Sequence, residues 1–381
     1  MRILVSGGGT GGHIYPALAV AGALRARYGA DLLYLGDESG LETRLVPREG
    51  IPFAAVRAGR LRRYVSMGTV TDLGRIPVGM AQALAHVRRF RPHAVFTSGG
   101  YVAVPAGVAA RTCRVPLLMH QQDVPPNLAN RLLAPIASRI SVSFAQSLDY
   151  FPRRKTMLAG NPVRAPILEM VGADAAAQKA RLGLDPTAPV LLVTGGSQGA
   201  RHLNQVVVEA LPHLLPHCQV LHVSGLSTYE ATRARAAELM ARDPTGGRMA
   251  ARYQLHGYLD EQMPAALAAS DLVLCRSGAS TLTELAMLGR PSLLVPLPPG
   301  FTGSPQQVNA EMFVRSGAAV MVLDRDLTVE RLLALLLPLL GDLERLGRLG
   351  AAARALTNPR AADLLADVVA ELAKRRMGGG R

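Results

Sequence analysis

At 381 residues the chain is too long for one ordinary hydrophobic core and suits two domains of typical size. Apolar residues make up 49% of it and charged residues 18%, which excludes a disordered chain. The formal net charge of +14, mostly arginine, predicts attraction to an anionic partner (nucleic acid, anionic lipid or a phosphorylated substrate) or plain compositional drift.

Short apolar strands alternate with helical patterns along the chain. Arg2–Val5 reads as a strand, Ile14–Tyr28 as a helix and Leu32–Leu35 as the next strand. His93–Thr97, Pro116–His120 and Ile140–Ser143 repeat the strand pattern. Beyond the middle come Val190–Thr194, Gln219–Val223, Leu272–Cys275 and Ser292–Val295, separated by helical patterns such as Leu203–Leu215 and Leu282–Leu288. This alternation predicts parallel sheets in α/β domains. A loose internal repeat sharpens the reading. A strand, a Gly-rich turn and a helix start at Leu4 and again at Leu192, so two doubly wound domains are expected, joined near 160–164. The amphipathic segment Ala361–Arg375 fits either domain, and Met377–Arg381 reads as a disordered tail.

The Met1–Leu24 stretch is apolar with one early arginine, but glycines at 7–12 interrupt it as a signal peptide. The longest later apolar run, Leu332–Leu340, is far short of the roughly 20 residues a membrane span needs, so no transmembrane segment is expected. Cys113, Cys218 and Cys275 lie far apart, beside apolar runs, and read as buried reduced thiols in a reducing compartment.

The chemistry sits in the loops after strands. Gly7-x-Gly9-x-x-Gly12 follows the first strand and opens a helix; its backbone can approach phosphate closely, and the helix start offers N–H donors. Asp37, ending the next strand, completes a dinucleotide-like pattern, so an NAD-dependent dehydrogenase is one reading and a plain tight turn another. His13, directly after the glycines, suits general-base work near neutral pH; the alternative is a helix-start residue bonded to backbone. Ser98-Gly99-Gly100-Tyr101 and His120-Gln121-Gln122-Asp123 lie past further strands on the same predicted edge, where open α/β sheets bind ligands. In the second half, 195–199 repeats the phosphate-cradle pattern, and Arg276–Thr281 opens another helix. Glu284 is placed in that helix's first turn, either bonded to a ribose or closing a Thr281-x-x-Glu284 capping box. Gln306, Gln307 and Asn309 carry amides suited to sugar hydroxyls, or to a solvated helix start.

Six motifs then stand in one order and spacing: GlyGlyThrGlyGlyHis at 8–13, GlyGlyTyr at 99–101, GlyAsnProValArg at 160–164, GlyGlySerGlnGlyAla at 195–200, ArgSerGlyAla with Glu284 at 276–284, and GlnGlnxAsnAla at 306–310. Together they closely resemble the MurG family of bacterial cell-wall glycosyltransferases, over roughly residues 1–319. The resemblance implies an α/β GT-B fold, two doubly wound Rossmann-like domains facing a deep cleft. These are an acceptor- and membrane-binding domain at 1–163, with the helix at about 361–375 packing back on it, and a UDP-GlcNAc-binding domain at 164–358. It implies an inverting transfer of N-acetylglucosamine from UDP-N-acetylglucosamine to the C4 hydroxyl of the muramoyl sugar in lipid I, forming lipid II; no cofactor is expected, and because no DxD-like pair stands near these loops no essential divalent ion is expected either. A UDP-N-acetylglucosamine epimerase, or another glycolipid transferase of the same fold, is the nearer rival.

By position, the resemblance assigns Arg164 and Ser197 to the donor diphosphate and Leu259 to the uracil. Ala279, Ser280, Thr281, Leu282 and Thr283 supply backbone contacts, Glu284 meets the ribose, and Gln306 and Gln307 hold the sugar, with Asn309 nearby. Thr10, Gly11 and Gly12 also reach the donor. His13 or Asp123 is the implied base, and Tyr101 serves the acceptor pyrophosphate. Two positions depart from the family's HisGluGlnAsn pattern: Gln121 cannot titrate, and Asp123 brings a charge to a donor-sugar contact. Asn127 and Asn130 lie near enough in sequence to substitute. Arg60, Arg62, Arg63, Arg75, Arg88 and Arg89, interleaved with Val65, Met67, Val70, Ile76, Val78, Met80 and Leu84, predict a basic, apolar patch near 60–91 for an anionic membrane surface; a solvated loop before a core helix is the alternative. The resulting expectation is a peripheral enzyme on the cytoplasmic face of the inner membrane, with no nucleic-acid partner.

Overall fold

The computed structural model describes residues 1–59, 67–196, 199–242, 247, 249–298 and 306–378, with no side-chain detail for 67–75. The chain divides into two compact units: Met1–Arg164 together with the segment from Asn358, and Ala165–Thr357.

The first unit is built on a sheet of seven parallel strands: β1 (Arg2–Ser6), β2 (Asp31–Asp37), β3 (Phe53–Val56), β4 (Ala94–Thr97), β5 (Leu117–Gln121), β6 (Arg139–Val142) and β7 (Thr156–Leu158). Their spatial order is β3-β2-β1-β4-β5-β6-β7. The second unit repeats the plan with β8 (Val190–Thr194), β9 (Gln219–Val223), β10 (Tyr253–His256), β11 (Leu272–Cys275), β12 (Ser292–Leu294) and β13 (Val320–Met321), ordered β10-β9-β8-β11-β12-β13. Both are doubly wound Rossmann-like sheets, and in each the strand order reverses once, between β1 and β4 and between β8 and β11.

The inner strands are mostly apolar because helices cover both faces. β4 and β5 of the first unit are buried at every position, as are β8, β9 and β11 of the second. On one face of the first sheet, Ile3, Val5 and Phe96 pack with Ala17 and Leu24 of helix Gly11–Tyr28. Leu365, Ala366, Val369 and Ala373 join that same cluster, so helix Ala361–Gly378 completes the first unit's core. Its outer edge is fastened by Asp367, which accepts the Tyr28 hydroxyl at 2.5 Å and pairs with Arg27 at 3.0 Å. Met377 and Gly378, expected in a disordered tail, lie inside this helix.

The second unit's core joins β8, β11 and β12 to helix Arg201–Leu214 and helix Val329–Leu340. An ion pair from a buried lysine to a half-buried aspartate supports it: Lys179 Nζ lies 2.8 Å from Asp271 and 3.0 Å from the Ala188 carbonyl. Cys218 and Cys275 are buried free thiols, both pushed up to about 12 by burial, while Cys113 is half-buried.

Of the expected basic and apolar patch, residues 60–66 and the side chains of 67–75 lie outside the described residues. Beyond them, helix Met67–Phe90 exposes Val78 and the terminal Arg88 and Arg89, whereas Leu84 packs on the core.

Candidate functional site

Open α/β sheets bind ligands at the carboxyl ends of strands where the order reverses. In the first unit that point is flanked by the loops after β1 and β4. The loops touch: a Cβ placed on Gly100 would sit 2.2 Å from the Gly8 carbonyl oxygen, and Gly100 has a φ of +83°. Only glycine fits there.

The loop after β1 rests on buried acids rather than on empty space. The Glu42 carboxylate, with no exposed surface, accepts the Asp37 N–H at 2.9 Å and occupies the volume a Cβ of Gly8, Gly36 or Gly40 would fill. Burial pushes its pKa up, against the backbone N–H groups of Asp37, Glu42 and Gly9 that pull it down. Asp37, read from sequence as a ribose ligand, is buried and accepts the Tyr101 hydroxyl. Tyr101, expected at a pyrophosphate, therefore directs its hydroxyl into its own domain, with its ring under Gly9.

His13 is half-buried in the first turn of helix Gly11–Tyr28. Its Nδ1 lies 3.1 Å from the Ser98 carbonyl. A carbonyl only accepts, whereas the Gln122 amide nitrogen, 3.2 Å from the same Nδ1, only donates; the shorter contact, to the carbonyl, assigns the proton to Nδ1 and the lone pair to Nε2. Gln122 Nε2 also donates to Ser98 O, at 2.8 Å, and the Ser98 hydroxyl donates to the His13 carbonyl at 2.6 Å, which locks the helix start to the β4 loop. Burial lowers the His13 pKa and wins over Asp123 and the Ser98 bond, which raise it. The ring is therefore neutral near pH 7, as a general base must be. Asp123 is buried near it.

The neighbouring loop is knitted by amides. Gln121 Nε2 donates to the carbonyls of Asp123 at 2.8 Å and Pro125 at 3.1 Å, and its Oε1 accepts from Asn130 at 2.7 Å. Asn130, a candidate substrate contact, is 1% exposed and also donates to the His120 carbonyl, so it shapes the loop from beneath. Asn127 caps helix Leu128–Leu133. His120 itself is fully buried between Ser141 and Asn161, and burial lowers it to about 4. Arg164 stacks its guanidinium over Tyr15, 4.6 Å from the ring centroid, and Tyr15 borders Gly11. Thr10, Gly11 and Gly12 form the start of the helix, where Thr10 supplies no side-chain cap and no acid occupies the first turn; the positive dipole end suits an anion.

The second unit repeats this logic. Helices Arg201–Leu214 and Ala279–Leu288 begin after β8 and β11, again with neither side-chain cap nor first-turn acid. Gly196 and Gly199 turn the β8 loop through positive φ; Ser197 lies outside the described residues. Because the second of these helices starts at Ala279 with Gly278 as N-cap, Glu284 belongs to its second turn and Thr281 to its interior. Both sequence placements of Glu284, first turn and capping box, are thereby corrected. Ser280, Thr281 and Glu284 are half-buried on the helix's outer side, while Ala279, Leu282 and Thr283 are buried and Thr283 bonds back to Ala279. Leu259 is buried at 6% exposure.

The tandem amides play a different part from sugar binding alone. Gln306 Oε1 accepts the N–H groups of Ser277 at 3.2 Å and Leu297 at 3.1 Å, and Asn309 donates to the Ser277 carbonyl at 3.3 Å. They hold the β11 loop in shape, and Gln307 donates to Glu311 at 2.9 Å. Arg276 pairs with Asp324 at 2.6 Å beneath the same loop. Sequence reading missed His222, which bridges Tyr253 and Asn204 under the β8 and β9 loops and is lowered by burial to about 3. Its only sequence signal is a polar residue inside an apolar strand.

The chain matches the N-terminal domain of glycosyltransferase family 28 over residues 3–142 and the C-terminal domain of that family over 190–365. It is 41% identical over 377 residues to the UDP-N-acetylglucosamine–N-acetylmuramyl-(pentapeptide) pyrophosphoryl-undecaprenol N-acetylglucosamine transferase of Desulforudis audaxviator, covering 98% of this chain and 99% of that one. The crystal structure of Acinetobacter baumannii MurG superposes with a TM-score of 0.72 at 27% identity, over 97% of this chain and 99% of that one. A putative UDP-N-acetylglucosamine 2-epimerase of Listeria monocytogenes shares the fold (TM-score 0.68, 99% of this chain and 97% of that one) at 15% identity, a likeness of fold alone. Matched in both halves and related along nearly its whole length, the chain belongs to glycosyltransferase family 28 and, within it, to the MurG family of N-acetylglucosaminyltransferases.

Proposed function

We propose that this chain transfers N-acetylglucosamine from UDP-N-acetylglucosamine to the C4 hydroxyl of the muramoyl sugar of lipid I, yielding lipid II. The supporting observation is His13: a neutral ring, its proton fixed on Nδ1 by Ser98, set beside touching glycine loops at the first sheet's reversal point. The reaction inverts the anomeric carbon in one in-line displacement. Nε2 of His13 takes the C4 hydroxyl proton as the glycosidic bond forms, and the bond to UDP breaks. Asp123 beside the ring favours the imidazolium that results. Charge growing on UDP is met by the uncapped helix starts at 201 and 279 and by Arg164. Glu284 serves the ribose, Leu259 the uracil, and Ser280, Thr281, Gln306, Gln307 and Asn309 the rest of the donor. Among described residues no helix is long and apolar enough to cross a membrane. A lipid acceptor then places the enzyme peripherally on the bilayer, at its cytoplasmic face, through the basic residues near 60–91.

Purified chain given a lipid I analogue and UDP-N-acetylglucosamine should form the lipid II analogue. His13→Ala should lose at least ~10²-fold in turnover, the usual scale of general-base removal, with UDP affinity retained. Equal losses in both would remove His13 as the base, and no turnover by the parent would reject the assignment.

A further inference from the structure

The opposite edge of the first sheet carries a second feature, separate from the donor and acceptor residues. Four arginines, Arg114, Arg139, Arg375 and Arg376, line a shallow, open groove of about 520 Å³ together with Pro116, Ser138 and Leu372. Pro116 and Arg139 sit at the amino ends of β5 and β6, whereas His13 belongs to the carboxyl ends. The five residues of β5 alone separate the two edges by about 16 Å.

Two of these arginines have structural duties. Arg376 donates to the carbonyls of Cys113 and Arg114, capping the end of helix Ala103–Thr112, and Arg375 pairs with Glu371. Among the described residues the Arg139 guanidinium donates to the carbonyl of its neighbour Ser138, at 3.3 Å. Arg114 is exposed and its guanidinium has no partner among the described residues. The positive field reaches beyond the groove: after burial, Arg2, the amino terminus and Arg376 all lower the pKa of His93 at the start of β4.

The backbone of Arg114 is the second, independent observation. Helix Ala103–Thr112 ends in a Schellman turn, with Val115 N–H on Ala110 O at 2.8 Å and Arg114 N–H on Arg111 O at 3.1 Å. The turn's left-handed residue is Arg114, at φ +53°. Helices Ala279–Leu288 and Gln306–Arg315 end in the same hydrogen-bond pattern with Gly289 and Gly317 there. Glycine is the low-strain choice at this position. Among the described residues two non-glycines take a positive φ, Arg91 and Arg114, and of the two Arg114 lines the groove.

We propose that this groove is a binding site for a phosphoryl anion about the size of a diphosphate, held between Arg114, Arg139 and Arg375. Guanidinium forks match phosphate oxygens in pairs, and the groove's volume suits a small group. The same chemistry is offered by a soluble diphosphate and by an anionic lipid headgroup.

The test uses the full chain with UDP saturating the donor site. One arm titrates inorganic pyrophosphate by calorimetry; the other measures sedimentation with phosphatidylglycerol-containing vesicles against pure phosphatidylcholine vesicles. Arg114→Gly removes the guanidinium and relieves the turn together, so it should melt no lower than the parent. It should weaken binding at least tenfold in one arm while turnover on a soluble acceptor analogue is unchanged. Loss in the pyrophosphate arm identifies a soluble ligand, and loss confined to vesicles identifies a headgroup; either supports the site. R139Q/R375Q should reproduce the loss. Unchanged binding in both arms, or a lower melting temperature for Arg114→Gly, would overturn the proposal.

Discussion

Replacing Gly100 by alanine tests whether the two glycine loops of the first unit work as one surface. The new Cβ would lie 2.2 Å from the Gly8 carbonyl oxygen and 3.2 Å from the Gly8 nitrogen and carbonyl carbon, all backbone atoms that cannot rotate away. A positive φ costs an L-residue about 1–2 kcal/mol, and forcing atoms into a packed site costs about 1–3 kcal/mol more. The sum, about 2–5 kcal/mol, lowers melting of a unit this size by roughly 4–20 °C at about 2–4 °C per kcal/mol. The Gly8 carbonyl must move by about 1 Å, a displacement that costs on the order of 10²-fold in rate when it reaches a reacting group. Gly22→Ala is the matched control. It lies inside helix Gly11–Tyr28 with nothing within 4 Å of the added atom, and should stabilise by about 0.5–1 kcal/mol. Calorimetric melting and initial transfer rates of both variants give the answer. A Gly100→Ala protein that melts and turns over like the parent would refute the claim that the loops are in contact.

Acidification should weaken both units through buried imidazoles. An unfolded histidine gains its proton near 6.5, but His120 resists until about 4 and His222 until about 3. The unfolded chain binds protons first, so stability falls as pH drops below 6.5, by about 2 kcal/mol per histidine between pH 7 and pH 5. Urea midpoints at the two pH values check this; His222→Gln should flatten the dependence, and an equally steep curve would count against the network. Lys179→Ala should cost the second unit about 1–3 kcal/mol, because the Ala188 carbonyl and Asp271 both lose their bonds to the buried ammonium. Lys179→Met should behave similarly, and an unchanged urea midpoint in either would show the pair to be ornamental.

The central strands and the loops after them were legible because fully buried parallel strands are mostly apolar runs. β3, β7, β10 and β13 were not, and for one reason: they are short edge strands whose composition, such as the half-exposed Tyr253–His256, resembles a loop. Motif spacing brought His13, the glycine turns and the Ala279–Glu284 helix to the reversal points. It did not show what polar side chains face. Tyr101 with Asp37, and Gln306 and Asn309 with the β11 loop, satisfy buried backbone or carboxyl groups, and that pairing depends on tertiary neighbours. Glu42 was invisible because its partners are N–H groups and absent Cβ atoms, neither written in the local sequence.

Helix Ala361–Gly378 lends Leu365, Ala366, Val369 and Ala373 to the cluster built around Ile3 and Phe96. On the ribosome, the opening strands must therefore wait until residues 361–378 have been made before their apolar face is covered. The inserted unit, Ala165–Thr357, is synthesised as one continuous stretch and can fold during that interval. A nascent chain halted before residue 361 should be open to protease in its earliest-made part and resistant in its later one.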